Sequence, residues 1–175
     1  MTAAGVFEGQ RYELIEGDLI DKMGQNPPHA RTIMLVLAWL VKTFGVSGVR
    51  CQLPIEVGPE DRPRTEPEPD FALLADPETE FADRHPRGDE LLLLVEIADS
   101  SSRFDRTVKK ALYARAEVKE YWVIDISARV VYVHRHPSSG TYQVVIRLAG
   151  EETVAPESRE DARVRVRELL PPNYS

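Results

Sequence analysis

The segment "EPEPDFALL", residues 66–74, runs two prolines and three carboxylates straight into an apolar stretch, with Asp70 at the seam. A second acid, Glu96, stands behind a run of apolar residues in "LLLLVEIADSS". A carboxylate at the inner end of a buried strand is costly unless it is paired, hydrogen-bonded or bound to a metal. Downstream, Asp105, Lys109 and Tyr113 recur at intervals of four and share one helix face. Two carboxylates on adjacent strands and one lysine are a set with defined chemistry. The carboxylates hold Mg²⁺ through oxygen, leaving waters and a substrate phosphate to complete the octahedron. The metal polarises the phosphoryl oxygen and helps to generate hydroxide. The ammonium orients or deprotonates the attacking water, or stabilises charge on the phosphorane. Taken singly, each acid also reads as a strand-end carboxylate near solvent, and Asp105 with Lys109 as a helix-stabilising pair.

The elements that must position these residues follow from apolar spacing. "YELIEGDLIDKM", residues 12–23, reads as two short strands about Glu-Gly-Asp, a hairpin. Pro27 and Pro28 precede a helix in which Ile33, Leu37, Leu40, Val41 and Phe44 recur at helical spacing, with Gly45 as its stop. Residues 51–58, "CQLPIEVG", read as a strand at an edge because of Pro54. A polar, proline-rich loop covers 58–69, and "DFALLA" is the next strand. After a second polar loop, "LLLLVEI", residues 91–97, is the continuous apolar run of a strand buried on both faces. Residues 104–118 read as a helix, and "YWVIDI", 121–126, as another buried strand. Residues 130–136, 141–149 and 162–169 alternate like half-exposed strands. This order predicts one α/β (α+β) domain over residues 1–175, with one sheet and two main helices.

Composition narrows the class. The chain has 175 residues, 42% of them hydrophobic and 29% charged, enough for a real core. The longest apolar run, "IMLVLAWLV", is too short for a bilayer, which needs roughly 20 residues. "MTAAGVFEGQ" has neither a basic start nor an apolar core, so no signal peptide is read there. Cys51 is the single cysteine, which excludes an internal disulfide and a cysteine metal cluster. These features point to a cytoplasmic protein. The net charge of −7 argues against a general basic coat for DNA, yet suits a carboxylate pocket that collects divalent cations. Between Arg103 and Lys119, six basic residues outnumber two acids. That stretch reads either as a solvated helix face or as a surface that meets phosphate.

Four motifs in order, "EPEPDFALL", "LVEIADSS", "FDRTVKKALYARAEVKEYWVID" and "YELIEGDLIDKM", resemble the Uma-type family of restriction endonucleases, within the PD-(D/E)XK nuclease superfamily. The resemblance runs from Tyr12 to beyond Val133. It implies a restriction-endonuclease-like core, a mixed central sheet flanked by two main helices with extra hairpins. It implies that Asp70 and Glu96 bind Mg²⁺, or Mn²⁺ in its place, with the carbonyl of Ile97 as a further ligand. The usual superfamily lysine would stand at Ala98; the Uma-type pattern takes it from the following helix, which here is Lys109. The expected activity is hydrolysis of DNA by an endonuclease working as a homodimer, because cutting two strands needs two sites. The alternative is a nuclease fold that binds nucleic acid or a protein partner without cutting.

His29, at the start of the first helix, stands where such folds carry an extra polar site residue, and equally where a helix-end histidine meets solvent. Asp105 is expected to hold Lys109, with Tyr113 on the same face. Lys110, about 100 degrees round the helix, points elsewhere. Asp99 is expected to fix the loop after Glu96, and Ser100, Ser101 and Ser102 to cap the helix. Tyr121 and Trp122 read as core, His134 and His136 as surface. Pro67 and Pro69 bias the backbone towards extended geometry and set the angle at which Asp70 enters the sheet. One departure stands out. The family places a glycine and a proline before Glu-Tyr-Trp, where this chain has Glu117 and Lys119.

Overall fold

A computed structural model describes residues 12–21 and 26–172. The segment read for a leader, and the last two residues of the expected hairpin, lie outside them. Strands β1 (Tyr12–Ile15) and β2 (Asp18–Asp21) form that hairpin. Its two-residue turn puts Glu16 at φ 53° and Gly17 at φ 95°, the left-handed pair that matches the twist of a hairpin. Helix α1 (Pro27–Phe44) starts on two prolines, is capped by Asn26, and stops at Gly45, φ 81°. Its buried side chains are Thr32, Ile33, Val36 and Leu40.

The main sheet has six strands in the order β3 (Val49–Cys51), β4 (Phe71–Leu74), β5 (Leu91–Ala98), β6 (Glu120–Asp125), β7 (Val130–Ser138) and β8 (Thr141–Ala149). All neighbours are antiparallel except β5 and β6. A parallel pair needs a crossover, and residues 99–119 supply it as a helix. That helix is interrupted. Helix α2 (Ser102–Phe104) passes through one π-turn (Asp105–Lys109) into α3 (Lys110–Arg115).

The sheet buries both faces. On one, Phe71, Leu73, Leu93, Val95 and Trp122 pack against α1 and the C-terminal segment with Leu169 and Leu170. On the other, Ala72, Leu94, Ala98, Tyr121 and Val123 pack against Leu112, Tyr113 and Val118 of the crossover and against Ile15 of the hairpin. Pleating sends successive side chains to opposite faces. Asp70 and Glu96 therefore share the second face, the one towards the hairpin and α3.

Several expectations are corrected. Of the expected strand 51–58 only Cys51 is strand, as the last residue of β3 (Val49–Cys51); beyond it Gln52 takes φ 52° and only an isolated bridge, Glu56 to Arg87, remains. The crossover helix ends at Arg115 rather than 118. There, Glu117 N–H donates to the Ala114 carbonyl (3.2 Å) and Val118 N–H to the Tyr113 carbonyl (3.0 Å), with Glu117 left-handed at φ 61°. This is a Schellman closure, and the left-handed site is where the family glycine would stand. Close by, Gly88 is needed for its size: a Cβ there would lie 1.9 Å from the Ala116 carbonyl oxygen. Residues 162–169 are not one strand. β10 (Val164–Arg165) pairs only with the two-residue β9 (Thr153–Val154), and 166–169 coil into a 3₁₀ turn.

His134 is also corrected, from surface to core. It is 2% exposed, faces Tyr121 across β6 and β7, and stacks on that ring at 5.4 Å. Its Nδ1 lies 3.1 Å from the Tyr121 carbonyl oxygen, so that nitrogen carries the proton. Burial pushes its pKa down to about 4. His136, in contrast, is exposed and lies 3.3 Å from Glu157. Tyr121 and Trp122 are core, as expected. Among the described residues no helix is long and apolar enough to cross a membrane.

Candidate active site

The backbone around Asp70 is gripped from both sides. Leu14 exchanges two backbone hydrogen bonds with Glu66 (3.4 and 2.7 Å), while Ile55 N–H donates to Pro67 O (3.2 Å) and Gln52 N–H to Asp70 O (2.9 Å). Pro67 and Pro69 have no N–H to leave unsatisfied in this extended segment. The β4–β5 register pairs Phe71 with Val95, and one further step puts Asp70 across from Glu96. Ile97 N–H donates to Asp70 Oδ2 at 2.8 Å, and Gln52 Nε2 donates to Oδ1 at 3.3 Å. His29 Nε2 lies 3.9 Å from Asp70 Oδ1, with a fifth of its side chain exposed. The first turn of α1 thus comes to the site. Asn26 holds it there by accepting from His29 N–H (2.9 Å) and donating to Asp99 Oδ2 (2.5 Å). Asp99 also accepts from Ser127 Oγ at 2.9 Å, and these bonds hold its carboxyl below the usual range.

Glu96 meets the crossover helix. Its Oε1 accepts from Lys109 Nζ at 2.9 Å and from Tyr113 O–H at 2.8 Å. Asp105 Oδ1 lies 3.8 Å from Lys109 Nζ, and Asp105 Oδ2 accepts from Ser101 Oγ at 2.6 Å. Ser101 stands at the N-cap position of α2, yet it makes no side-chain capping bond. Ser101 fixes Asp105 instead, and Ser102 donates to Asp125 at the end of β6 (2.5 Å). The π-turn brings both Asp105 and Lys109 inside, each 3% exposed. Single π-turns within helices recur at functional sites.

Glu13, which sequence reasoning did not single out, completes the cluster. Its Oε1 lies 2.6 Å from Lys109 Nζ, its closest carboxylate contact, and Glu68 N–H donates to its Oε2 at 3.3 Å. In "YELI" both alternating positions hold apolar residues, so the pattern did not mark Glu13 as inward. Gln52 was missed for a different reason, because a left-handed residue after β3 has no periodic signal.

The electrostatics are those of a carboxylate surplus. Glu13, Asp70, Glu96 and Asp105 are all buried, and Lys109 is the only buried lysine or arginine among the described residues. Burial alone would lower the Lys109 pKa, but Glu96, Glu13 and Asp105 overcome it and hold the group far above its ordinary value. Lys109 is therefore a fixed ammonium. Burial pushes the Asp105 carboxyl up, with Glu13 and Asp70 adding repulsion against the pull of Lys109 and Ser101. Burial, with Glu96 and Glu13, raises Tyr113, which stays a phenol and a donor.

The basic stretch of the crossover is partly consumed internally. Lys109 is buried, and Arg115 is held by Asp61 through two bonds of 2.9 Å. Arg103, Arg106 and Lys119 remain exposed, and Lys110 half-exposed, off the site.

Among the described residues no three His, Cys, Asp or Glu side chains stand close enough to cage a metal ion. The Asp70 and Glu96 carboxylates, within a buried negative surplus, are instead a hard-oxygen set. That set fits an ion such as Mg²⁺, which keeps waters and takes one or two carboxylates.

No curated protein matches the chain. Among solved structures, a crystal structure described as "a putative nuclease belonging to DUF820", from Anabaena variabilis, superposes with a TM-score of 0.70 at 16% identity. The match covers 90% of this chain and 88% of that one, and shows a shared fold. The family model Uma2, described as "Putative restriction endonuclease", matches residues 4–165. That span is most of the 175 residues, and the chain belongs to the Uma2 family.

Proposed function

We propose that the chain is a Mg²⁺-dependent endonuclease that hydrolyses DNA phosphodiester bonds, with Mn²⁺ able to substitute. The observation that carries this reading is the meeting of Asp70 and Glu96 on one sheet face with a lysine locked as an ammonium beside Glu96. Asp70, Glu96 and the carbonyl of Ile97 would hold the metal. When bound, the metal polarises the phosphoryl oxygen and acidifies a water for attack. Lys109 supplies positive charge beside the developing negative charge. Its raised pKa suits orientation and charge stabilisation and disfavours service as a base at neutral pH. Glu13 and Asp105 anchor the ammonium, and Tyr113 fixes the Glu96 carboxylate by donating to Oε1. His29 and Gln52 border Asp70, where they can orient water or phosphate oxygen.

The same reading takes residues 1–175 as one nuclease-like domain, cytoplasmic, acting as a homodimer. The nine-residue edge strand β8 is a surface suited to such pairing. The test is conversion of supercoiled plasmid to nicked and linear forms with Mg²⁺ or Mn²⁺. Loss of cutting by at least a hundredfold is expected in Asp70→Ala and Glu96→Ala, the scale of removing one charge-stabilising group. Intact plasmid with the unaltered protein across salt and pH sinks the reading.

A second reading, a binder that does not cut, draws on the engagement of Lys109 with both Glu13 and Glu96. Calorimetry separates the two: no Mn²⁺ uptake dependent on Asp70 and Glu96 favours the binder.

A further inference from the structure

Arg50 is the arginine whose surroundings do not explain it. Its Nε is buried and has no hydrogen-bond partner. Its NH2 group lies 3.4 Å from His85 Nδ1, and its guanidinium sits over the Phe81 ring, 5.8 Å from the centroid. A guanidinium only donates, so His85 Nδ1 accepts. Among the described residues no carboxylate lies within ion-pair distance of Arg50. Its neighbour Arg84, over the same ring at 5.1 Å, is held by Glu90 through bonds of 2.6 and 2.7 Å. A buried N–H is costly unless it meets an acceptor, and the protein supplies none to this one, so the acceptor comes from outside it. Burial without an anion accordingly lowers the Arg50 pKa.

The position of Arg50 says what that acceptor is. It pairs with Ala72 across β3 and β4, and Ala72 faces the crossover and hairpin side of the sheet. Asp70 shares that face. Gln52, two residues beyond Arg50 and roughly 7 Å along the chain, contacts Asp70 directly. Arg50 is half-buried, on the edge strand, with one side open. A site built from four carboxylates repels a polyanion, and a strand entering it needs cationic holds alongside. The fork of a guanidinium matches two phosphate oxygens, and Phe81 and His85 fix its direction before binding.

We propose that Arg50, oriented by His85 and Phe81, binds a backbone phosphate of the nucleic-acid strand that enters the Asp70–Glu96 centre. This rests on the nuclease reading for the identity of the strand. The contact positions the strand and reads no sequence.

The test is binding of a fluorescein-labelled DNA duplex by anisotropy across a salt series, with Ca²⁺ in place of Mg²⁺. Arg50→Ala is expected to weaken binding about tenfold and to lower the slope of log affinity against log salt by about one. Arg50→Lys keeps the slope, loses the fork, and weakens binding only a few-fold. A duplex of unrelated sequence gives the same ratios. Equal slopes and affinities for the unaltered protein and Arg50→Ala overturn the proposal, as does a protein that binds no duplex. If Arg50→Ala does not fold, Arg50→Gln compared with Arg50→Lys gives the same reading. Cleavage of the same duplex with Mg²⁺ keeps the two readings apart. Arg50-dependent binding without cutting defeats the nuclease and leaves the phosphate contact standing. Cutting that is indifferent to Arg50, with an unchanged slope, defeats the contact alone.

Discussion

The Lys109 ammonium lies 2.6 Å from the Glu13 carboxylate, joining the N-terminal hairpin to the crossover helix inside the protein. This one cation serves three buried acids, Glu13, Glu96 and Asp105, at 2.6, 2.9 and 3.8 Å, so the sign of a mutation depends on which charge it removes. Lys109→Met strips the acids of their counter-charge and is expected to destabilise by about 3–5 kcal/mol. Asp105→Asn removes a carboxyl already pushed towards its neutral form and should change stability by less than about 1 kcal/mol, or increase it. Urea denaturation at neutral pH with chelator present measures both, and equal losses would contradict the surplus.

Relief of that surplus by a divalent ion should appear as thermal stabilisation. At Mn²⁺ about a hundredfold above its dissociation constant, the gain is about 2.7 kcal/mol. For a chain of this size that is roughly 5–10 °C in melting temperature. Asp70→Asn should melt at the same temperature with Mn²⁺ and with chelator. A full upward shift in that variant removes Asp70 from the ligand set.

His134 sets an acid limit on stability. Its folded pKa of about 4 lies below the ordinary 6.5, so between those values the unfolded chain binds a proton that the folded chain refuses. Stability is unaffected above pH 6.5 and falls as pH drops through the window towards 4. The full effect is on the order of 3 kcal/mol. His134→Phe keeps a ring between Tyr121 and Tyr142 and should flatten the stability curve from pH 6.5 to 4 by one proton. An unchanged slope in that variant assigns the acid sensitivity elsewhere.

The end of α3 carries a correctable strain. Glu117 holds a left-handed conformation that costs an L-residue roughly 1–2 kcal/mol. Glu117→Gly is expected to raise stability by about 1 kcal/mol after the added freedom of the unfolded chain is offset. Gly88→Ala, next to the same turn, forces a methyl against the Ala116 carbonyl and should destabilise by about 3 kcal/mol. Melting curves of the two variants should move in opposite directions.

Much of this fold was legible because β5 and β6 are continuous apolar runs, which only strands covered on both faces tolerate. Asp70 and Glu96 were legible as acids set against those runs, and Asp105, Lys109 and Tyr113 by their spacing. Glu13 was hidden because its strand is apolar on both alternations, and its partner lies 96 positions along the chain. His134 and His136 share an alternation, yet the inner strand β7 buries one beneath the crossover, and its outer end leaves the other in solvent. "ARVRVREL" alternates like a strand, but a ladder needs a partner, and only two residues of β9 are there to provide one. Periodicity reports which side chains go inside; it does not report what backbone lies alongside.

Lys109 is carried on residues 102–115, a segment with three helical residues before the π-turn and six after it. Asp70 and Glu96 belong to the sheet. Local opening of that segment would withdraw the cation and leave the acids in place. On the nuclease reading, such a chain still attracts metal yet has no ammonium beside it. The ability to cut then depends on the docking of one short helix, and a chain caught halfway to its fold is disarmed.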